Sequence, residues 1–511
     1  MSLSSRTEET HGWRKNAYST GKHRVPRPRG YPILGNIDLF MKKVPPYVAL
    51  HQIGKQYGEV FMVSLAFKDV LVLNSPEVIR EAFVLRKDDF SGRPHVYSIG
   101  RLSRGDGGIA FRNFSTPWVK RKNASTKAFR SKFLRYFEDT STGMFKDVDE
   151  LLNSFNMERN AFDPSGMLGV VITNIIMNIT CSVRYKDGDP ELEELIQANN
   201  NLKIVLKPGD IVDVFPFFKI FPNKRQLLVD QLISIREKVF MREFKRHKCS
   251  YKPENVRDFV DALLSLGMSE DEGVMTSWEM FASGFESTFQ TVRWAMLYLT
   301  VNQEVQTKIQ NELDENSSNQ YPIWKNRCHL RYLEATVLEV LRHSSFSSLN
   351  GPHQTITDTE ICGYKIPKGT MVLSNLWWVH HDPSRWTSPA EFNPDTITYP
   401  LYIVFIRIKN YKFMFVIIIL FSHADRFLDS EGNIYTPPSF LPFSIGRRMC
   451  LGEQFAKMMV FTLLGAVLQR FSLAAPQGKL TTSTEPSEPD MIRVADQFEI
   501  QLIPRGNKWI S

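Results

Sequence analysis

The chain has no two cysteines close enough in sequence to share a metal. Its five cysteines, Cys181, Cys249, Cys328, Cys362 and Cys450, are odd in number and widely spaced. No CxxC pair occurs, so neither a zinc site nor a disulfide framework is indicated, and a reducing compartment fits best. No dense Lys/Arg run interleaved with aromatics appears, which argues against nucleic-acid binding. Met1 to Arg24 is polar and basic, with no apolar run as long as a signal sequence or a membrane span. No internal repeat is evident. What the chain does have is bulk. Its 511 residues are 42% hydrophobic and 23% charged, a globular composition that supports a large core. The net charge of +8 suits a patch facing an acidic partner or an anionic membrane.

Periodicity gives a coarse map. Val60 to Leu73 is apolar and β-branched, and reads as a hairpin with a Lys68-Asp69 turn. Trp118 to Cys181 reads as helical, with Val170, Ile172, Ile175 and Ile176 in a buried stretch. Pro208 to Pro222 is a proline-punctuated apolar segment, read either as a loop packed on the core or as the roof over a substrate pocket. Gln226 to Lys248 reads as a long charged helix. Met275 to Leu299 reads as another, with Gly284 near its middle. Glycine there costs about 1 kcal/mol against alanine, so a close approach is expected to require it. Tyr332 to Arg342 and Gly452 to Gln469 are further helices, and Gly363 to Asn375 predicts short strands around a Pro367-Lys-Gly369 turn. The expected class is mainly α with small β-sheets.

The most specific pattern is Phe443-Ser-Ile-Gly446-Arg-Arg448-Met-Cys450-Leu-Gly452. Five of its ten positions are fixed, which chance would give about once in a million windows. A lone cysteine in this frame suits a haem-thiolate loop; the bland alternative is a buried cysteine acting as a small hydrophobe. The pattern resembles the cysteine loop of the cytochrome P450 family. That resemblance implies the P450 fold, a single large haem-thiolate domain from 26 to 511, and haem b as the cofactor. It implies Cys450 as the iron ligand, with a thiolate that favours O–O cleavage. It gives Gly446 a tight turn, Gly452 a helix approach, Arg448 a planar fork for a haem propionate, and Phe443 a shielding contact beside the sulfur.

Other stretches resemble the family at matching positions. Glu339-Val-Leu-Arg342 places a carboxylate and a guanidinium three apart. With Arg426 they resemble the family's buried Glu–Arg–Arg support of the haem. Ala282-Ser-Gly-Phe-Glu286-Ser287-Thr288 resembles the oxygen-activating turn, in which an acid beside a hydroxyl relays protons. Ser287 stands where threonine is usual, so coupling of electrons to product is expected to be looser. Trp118-Val-Lys-Arg121-Lys122 resembles the helix whose tryptophan and base touch a propionate, and His353 resembles another propionate ligand. Gly105-Asp-Gly107-Gly-Ile-Ala110 formally matches a dinucleotide fingerprint but lacks the flanking strand and helix. Electrons are therefore expected from a partner, docked at Arg121, Lys122, Arg447 and Lys457.

The resemblance implies a monooxygenase that inserts one oxygen atom into an apolar substrate. Its electrons come from NADPH–cytochrome P450 reductase, with cytochrome b5 as an accessory partner. It implies membrane association on the cytosolic face of the endoplasmic reticulum, although residues 1–25 read as an irregular segment without the usual anchor. Phe90-Ser-Gly-Arg93-Pro94, Gly108-Ile-Ala-Phe111 and Asp210 to Lys224 resemble the steroid hydroxylases, and the aryl-hydrocarbon hydroxylases share much of this. A haem-thiolate isomerase or peroxygenase is the other enzymatic reading. A third reading is a non-functional gene product, because about thirty residues, roughly Thr396 to Asp425, separate Asp395 from Arg426, which the family joins directly. Arg407, Lys409 and Lys412 interrupt them too often for a membrane span. They read as translated intron or, alternatively, as a surface hairpin.

Overall fold

The computed structural model describes residues 24–506 except 41–42, 67, 104–107, 139–143, 159, 208–210, 215–219, 222, 317–320, 396–403, 407–413, 417–425, 478–482 and 489. Most of the N-terminal segment, most of the 396–425 interval, the core of the Gly105–Gly107 pattern and much of the Pro208–Pro222 segment lie outside the described residues. Within the interval, Val404–Ile406 pairs antiparallel with Met414–Val416.

Helices make the body of the molecule. The stretch expected to be helical from Trp118 to Cys181 resolves into α1 (Thr116–Glu138), a second helix Met144–Met157, and α2 (Ser165–Cys181). α2 is apolar on nearly every face and is buried on nearly every face, as a core helix must be. α3 (Pro190–Leu206) starts at Asp189, whose side chain accepts from the Glu191 N–H. Residues 224–250 are helical throughout, with a π-turn at Arg236–Met241.

The axis of the fold is α4 (Glu270–Val301), 32 residues long. A reciprocal capping box opens it: Ser269 accepts from the Glu272 N–H while Glu272 accepts from the Ser269 N–H. Glu270, Asp271 and Glu272 add negative charge where the helix dipole is positive. α4 packs on α2, on α5 (Arg331–Ser344) and on α6 (Glu453–Arg470). Its fully buried Trp294, Tyr298 and Leu299 belong to the large central core. Burying each such side chain stabilises by roughly 1.5–3 kcal/mol.

The sheet lies to one side. β1 (Val60–Leu65) and β2 (Lys68–Leu73) pair antiparallel, β2 runs parallel to β4 (Met371–Ser374), and β3 (His353–Gln354) closes the far edge of β4. The chain reverses between Leu65 and Lys68, earlier than the expected Lys68-Asp69 turn, so both of those residues begin β2. Tyr364–Ile366 pairs with Thr359–Ile361 and not across the Pro367–Gly369 turn. The two expected strands of that region therefore belong to separate sheets.

Candidate active site

A cavity of about 380 Å³ lies between the middle of α4, the start of α6, the Cys450 loop and the segment after α5. α4 presents Ser283, Gly284, Ser287, Thr288 and Thr291 to it, and Cys450 faces it from the loop. Cys450 is exposed to the cavity, yet the protein packed around its sulfur raises the thiol pKa, against a hydrogen bond from the Gly452 N–H that lowers it. Gly452 caps α6, so the sulfur sits at the positive end of that helix. The loop is closed on itself by the Cys450 N–H, which donates to the Phe443 carbonyl at 3.0 Å. Phe443 lines the same cavity, with Lys457 5.5 Å over its ring.

Two glycines of the loop differ in what they need. Gly446 has φ +80°, and a Cβ there would run into the Phe83 carbonyl, so only glycine fits. A Cβ on Gly452 would meet the Cys450 sulfur at an ordinary 3.8 Å. On α4, a Cβ on Gly284 would meet Ile176 at 3.5 Å and Phe455 at 4.0 Å. No protein atom forces glycine at 284, contrary to expectation; its open side is the cavity.

One wall is cationic. Arg93, Lys122 and Arg448 all line the cavity. Burial pushes Arg93 down to about 10. Burial, then Arg448, Arg447 and Arg93, push Lys122 down to about 8. Burial and Arg93 likewise push Arg448 down. Positive charges crowded together in this way call for an anion. Much of their donor capacity is already committed. Arg448 stacks 3.8 Å over Trp118 and donates to the carbonyls of Ser91, Ile109 and Arg112. That leaves two of its five N–H groups. Lys122 Nζ donates to the Arg447 carbonyl. In the sequence, only the place of Arg93 between Gly92 and Pro94 signals a role.

Several expected site residues are turned elsewhere. Trp118 lines the cavity, but its Nε1–H donates to the Ile109 carbonyl at 2.9 Å and is not offered to a ligand. Arg121 is buried and faces the start of α4, where it pairs with Glu272 and donates to the Gly108 carbonyl. It is neither a cavity residue nor a surface docking residue. His353 does not line the cavity. Its Nδ1 donates to the Phe90 carbonyl at 2.8 Å and its ring stacks on Phe83 at 4.0 Å. Burial, then Arg93, hold its pKa well below the usual value. Glu286 also lies off the cavity, held by Lys203 and Gln290. Glu279, which no sequence motif marks, does line it, accepting from the Ile109 and Ala110 N–H groups. Burial pushes its carboxyl up to about 7.

Behind the cavity, Glu339, Arg342 and Arg426 come together, all fully buried. Arg342 also donates to the His380 carbonyl at 2.7 Å and the Pro389 carbonyl at 3.0 Å. Arg426 donates to the Thr387 carbonyl at 2.6 Å. Burial opposes ionisation of Glu339, but Arg342 and Arg426 more than offset it and leave its pKa lowered.

The family model described as Cytochrome P450 matches residues 25–396 and 423–502. The chain belongs to the cytochrome P450 family. Among its curated relatives, the steroid 17-alpha-hydroxylase/17,20 lyase of Rana dybowskii is 32% identical over 491 residues, covering 91% of this chain and 88% of the relative. The same-named protein of Gallus gallus is 32% identical over 484 residues, 90% and 88% of the two chains. Cytochrome P450 1A1 of Homo sapiens is 30% identical over 486 residues, 90% and 88%. P450 enzymes are monooxygenases that bind haem through a cysteine thiolate, and this chain is an enzyme of that class. The cavity fits such a group: it has a cysteine sulfur on one side and, in Arg93, Lys122 and Arg448, a cationic wall suited to propionates.

Proposed function

We propose that Cys450 ligates the haem iron and that the chain oxygenates an apolar, steroid-type substrate. Electrons would come from NADPH through NADPH–cytochrome P450 reductase, with cytochrome b5 as accessory partner. The observation that carries this reading is the Cys450 sulfur opening into a cavity whose other side is the Ser283–Thr291 stretch of α4. Haem, when bound, supplies dioxygen activation and oxygen insertion. The protein's part is positional. Arg93, Lys122 and Arg448 would hold the propionates, and Phe443 would limit water at the sulfur; Gly446 seats the loop against Phe83. Ser287 and Thr288 would pass protons into the cavity, with Glu286 as their acid. Ser287 Oγ donates to the Ser283 carbonyl at 2.8 Å, so it must turn to take part. Glu339, Arg342 and Arg426 brace the segments beneath the site.

The steroid assignment rests on relatives named steroid 17-alpha-hydroxylase/17,20 lyase and on an apolar wall of Ile109, Phe129, Phe259, Met280 and Phe346. Association with the cytosolic face of the endoplasmic reticulum rests on the family resemblance; among the described residues no helix is long and apolar enough to cross a membrane. We further propose one P450 domain over 26–511, with 396–425 as a foreign interval. The family match, which skips 397–422, supports this.

The test is an optical titration of the purified haem protein with a progestin and with a polycyclic aromatic hydrocarbon, followed by reductase-supported turnover. A spin shift and a hydroxylated steroid support the reading. A shift with the aromatic compound alone moves the substrate to that class. Product formed with peroxide but never with reductase would replace the monooxygenase with a peroxygenase.

A further inference from the structure

We infer that His247 is a positioning residue for the cavity wall: a buried imidazolium that fixes the short helix Phe259–Ser265, and with it Phe259, until alkali takes its proton.

The charge follows from the two partners of the ring. His247 Nδ1 lies 2.7 Å from the Glu243 carbonyl, and Nε2 lies 2.7 Å from Asp258 Oδ2. A carbonyl oxygen only accepts, so Nδ1 carries a proton. Nε2 then either carries a second or turns a lone pair on the Asp258 carboxylate at hydrogen-bond distance. The second proton converts that repulsion into an ion pair. The two side chains are 0% and 1% exposed, so solvent screens neither charge. His247 also sits in the last turn of its helix, where the dipole favours a cation.

Every element packed around the ring brings charged or titratable groups. Its own helix brings Glu243, which is paired with Arg242 and Arg246. The end of α2 brings Cys181, whose carbonyl accepts from Arg246, and Ser182, whose Oγ donates to Asp258 Oδ2 at 2.6 Å. The short helix and its cap bring Asp261 and Asp258, and Arg257 binds both oxygens of Asp261. α4 meets the same helix through Gly273, against Phe244, and through Glu270, 3.8 Å from Lys248. His247, Asp258 and Asp261 bring ligand atoms within 4.8 Å of one another, but the commitment of Asp261 to Arg257 leaves a proton, not a metal ion, between the other two. Burial lowers the His247 pKa, but the Asp258 carboxylate and the Glu243 carbonyl outweigh it, with Arg246, and leave it raised.

Asp258 carries the effect to the cavity. It caps the short helix: its Oδ1 accepts from the Asp261 N–H and its carbonyl from the Ala262 N–H, both at 3.0 Å. The next residue, Phe259, lines the cavity and stands edge-on to Phe129, another wall residue, at 6.3 Å. The helix rests on α1 and α2. When the His247 proton leaves for solvent, Asp258 loses its cation and turns to other donors, and the first residue of the helix moves with it. A raised folded-state pKa gives stability that is complete below the unfolded value of about 6.5 and is lost as pH rises through the folded value.

Purified haem proteins carrying His247→Gln or Phe259→Ala are compared with the parent from about pH 6.5 to 9. His247→Gln should lower the thermal midpoint by roughly 3–6 °C at the acid end, and the gap should shrink to less than about half at the alkaline end. The second readout is an optical titration with 4-phenylpyridine, an apolar ligand of haem iron. Its dissociation constant should rise at least about threefold across the range in the parent and stay flat in both variants. A melting gap that does not change with pH overturns the proposal, because His247 then has no second proton to lose. A probe affinity that changes with pH alike in all three proteins also overturns it. Where His247→Gln does not fold, Asp258→Asn, which keeps an acceptor at the cap, takes its place in both comparisons. The probe titration rests on haem filling the cavity beside Cys450. Failure of the probe to bind at all would count against that reading, and the melting comparison would still decide the charge on His247.

Discussion

Glu339 and Arg342 meet as a two-point pair, Nε on Oε2 and Nη2 on Oε1, both at 2.7 Å, and neither side chain has any exposed surface. Arg426 approaches the same carboxylate at 3.9 Å, and the Asn393 N–H donates to it at 3.0 Å. A pair this dry is weak evidence of net stabilisation, but breaking it strands a buried charge. Glu339→Ala should therefore cost about 3–5 kcal/mol, read as a lower urea midpoint and a lower yield of haem-loaded protein. An unchanged midpoint would mean that the network does not brace the fold.

The same pair sets an acid limit. The folded-state pKa of Glu339 is lowered, with Arg342 and Arg426 overcoming the burial that opposes them. Its contribution is therefore complete above the unfolded value of about 4.3 and is lost as pH falls through the lower folded value. Urea midpoints should fall on acidification below about pH 4, and more shallowly in Glu339→Gln. Parallel curves for the two proteins would contradict the assignment.

The cationic wall predicts a slope of the same sign, but in the alkaline range, in the haem-free chain. Burial, then the neighbouring arginines, lower Lys122 to about 8, so between there and its unfolded value the unfolded state binds more protons. Stability of haem-free protein should rise from about pH 8 to 10. Lys122→Met should flatten that rise, and so should haem, whose propionates neutralise the wall. A haem-independent slope would remove Lys122 from the propionate site.

Gly446→Ala tests the loop itself. Its left-handed φ and its contact with the Phe83 carbonyl leave no place for a methyl group. We expect a cost of about 1–3 kcal/mol and a matching fall in haem content, measured against Gly452→Ala, where a Cβ finds ordinary contact distance. Equal losses in the two variants would refute the distinction.

Removal of 397–422 tests the foreign interval. Its apolar, β-branched runs are an aggregation hazard when exposed. The shortened chain should give more soluble, haem-loaded protein, because Arg426 and its carbonyl partners lie outside the deletion. A fall in haem loading would make the interval part of the native fold.

Much of this was legible in sequence. The Cys450 loop was visible because a turn, a ligand and a helix start fall within ten residues, where local chemistry decides the outcome. The helices were visible from their apolar periodicity; the Glu339–Arg342 spacing is shared by Glu77–Arg80 and Glu243–Arg246, and only the family resemblance singled that pair out. What was not legible depends on distant partners. Nothing near Trp118 shows that its N–H is spent on the Ile109 carbonyl, or that Arg121 turns to Glu272, 151 positions away. Glu286 read as a cavity acid because its neighbours are cavity residues; only the packing of α3 on α4 shows Lys203 drawing it aside. Glu279 went unnoticed because an acid in a helix is ordinary until a loop's N–H groups are placed against it.

The most direct test is the spectrum of the reduced carbon monoxide complex of the purified chain and of Cys450→Ala. The parent should show the long-wavelength Soret band of a thiolate-ligated haem, and Cys450→Ala should show none. The same band in Cys450→Ala would contradict sulfur ligation at position 450 and, with it, the placement of every other residue around the cavity.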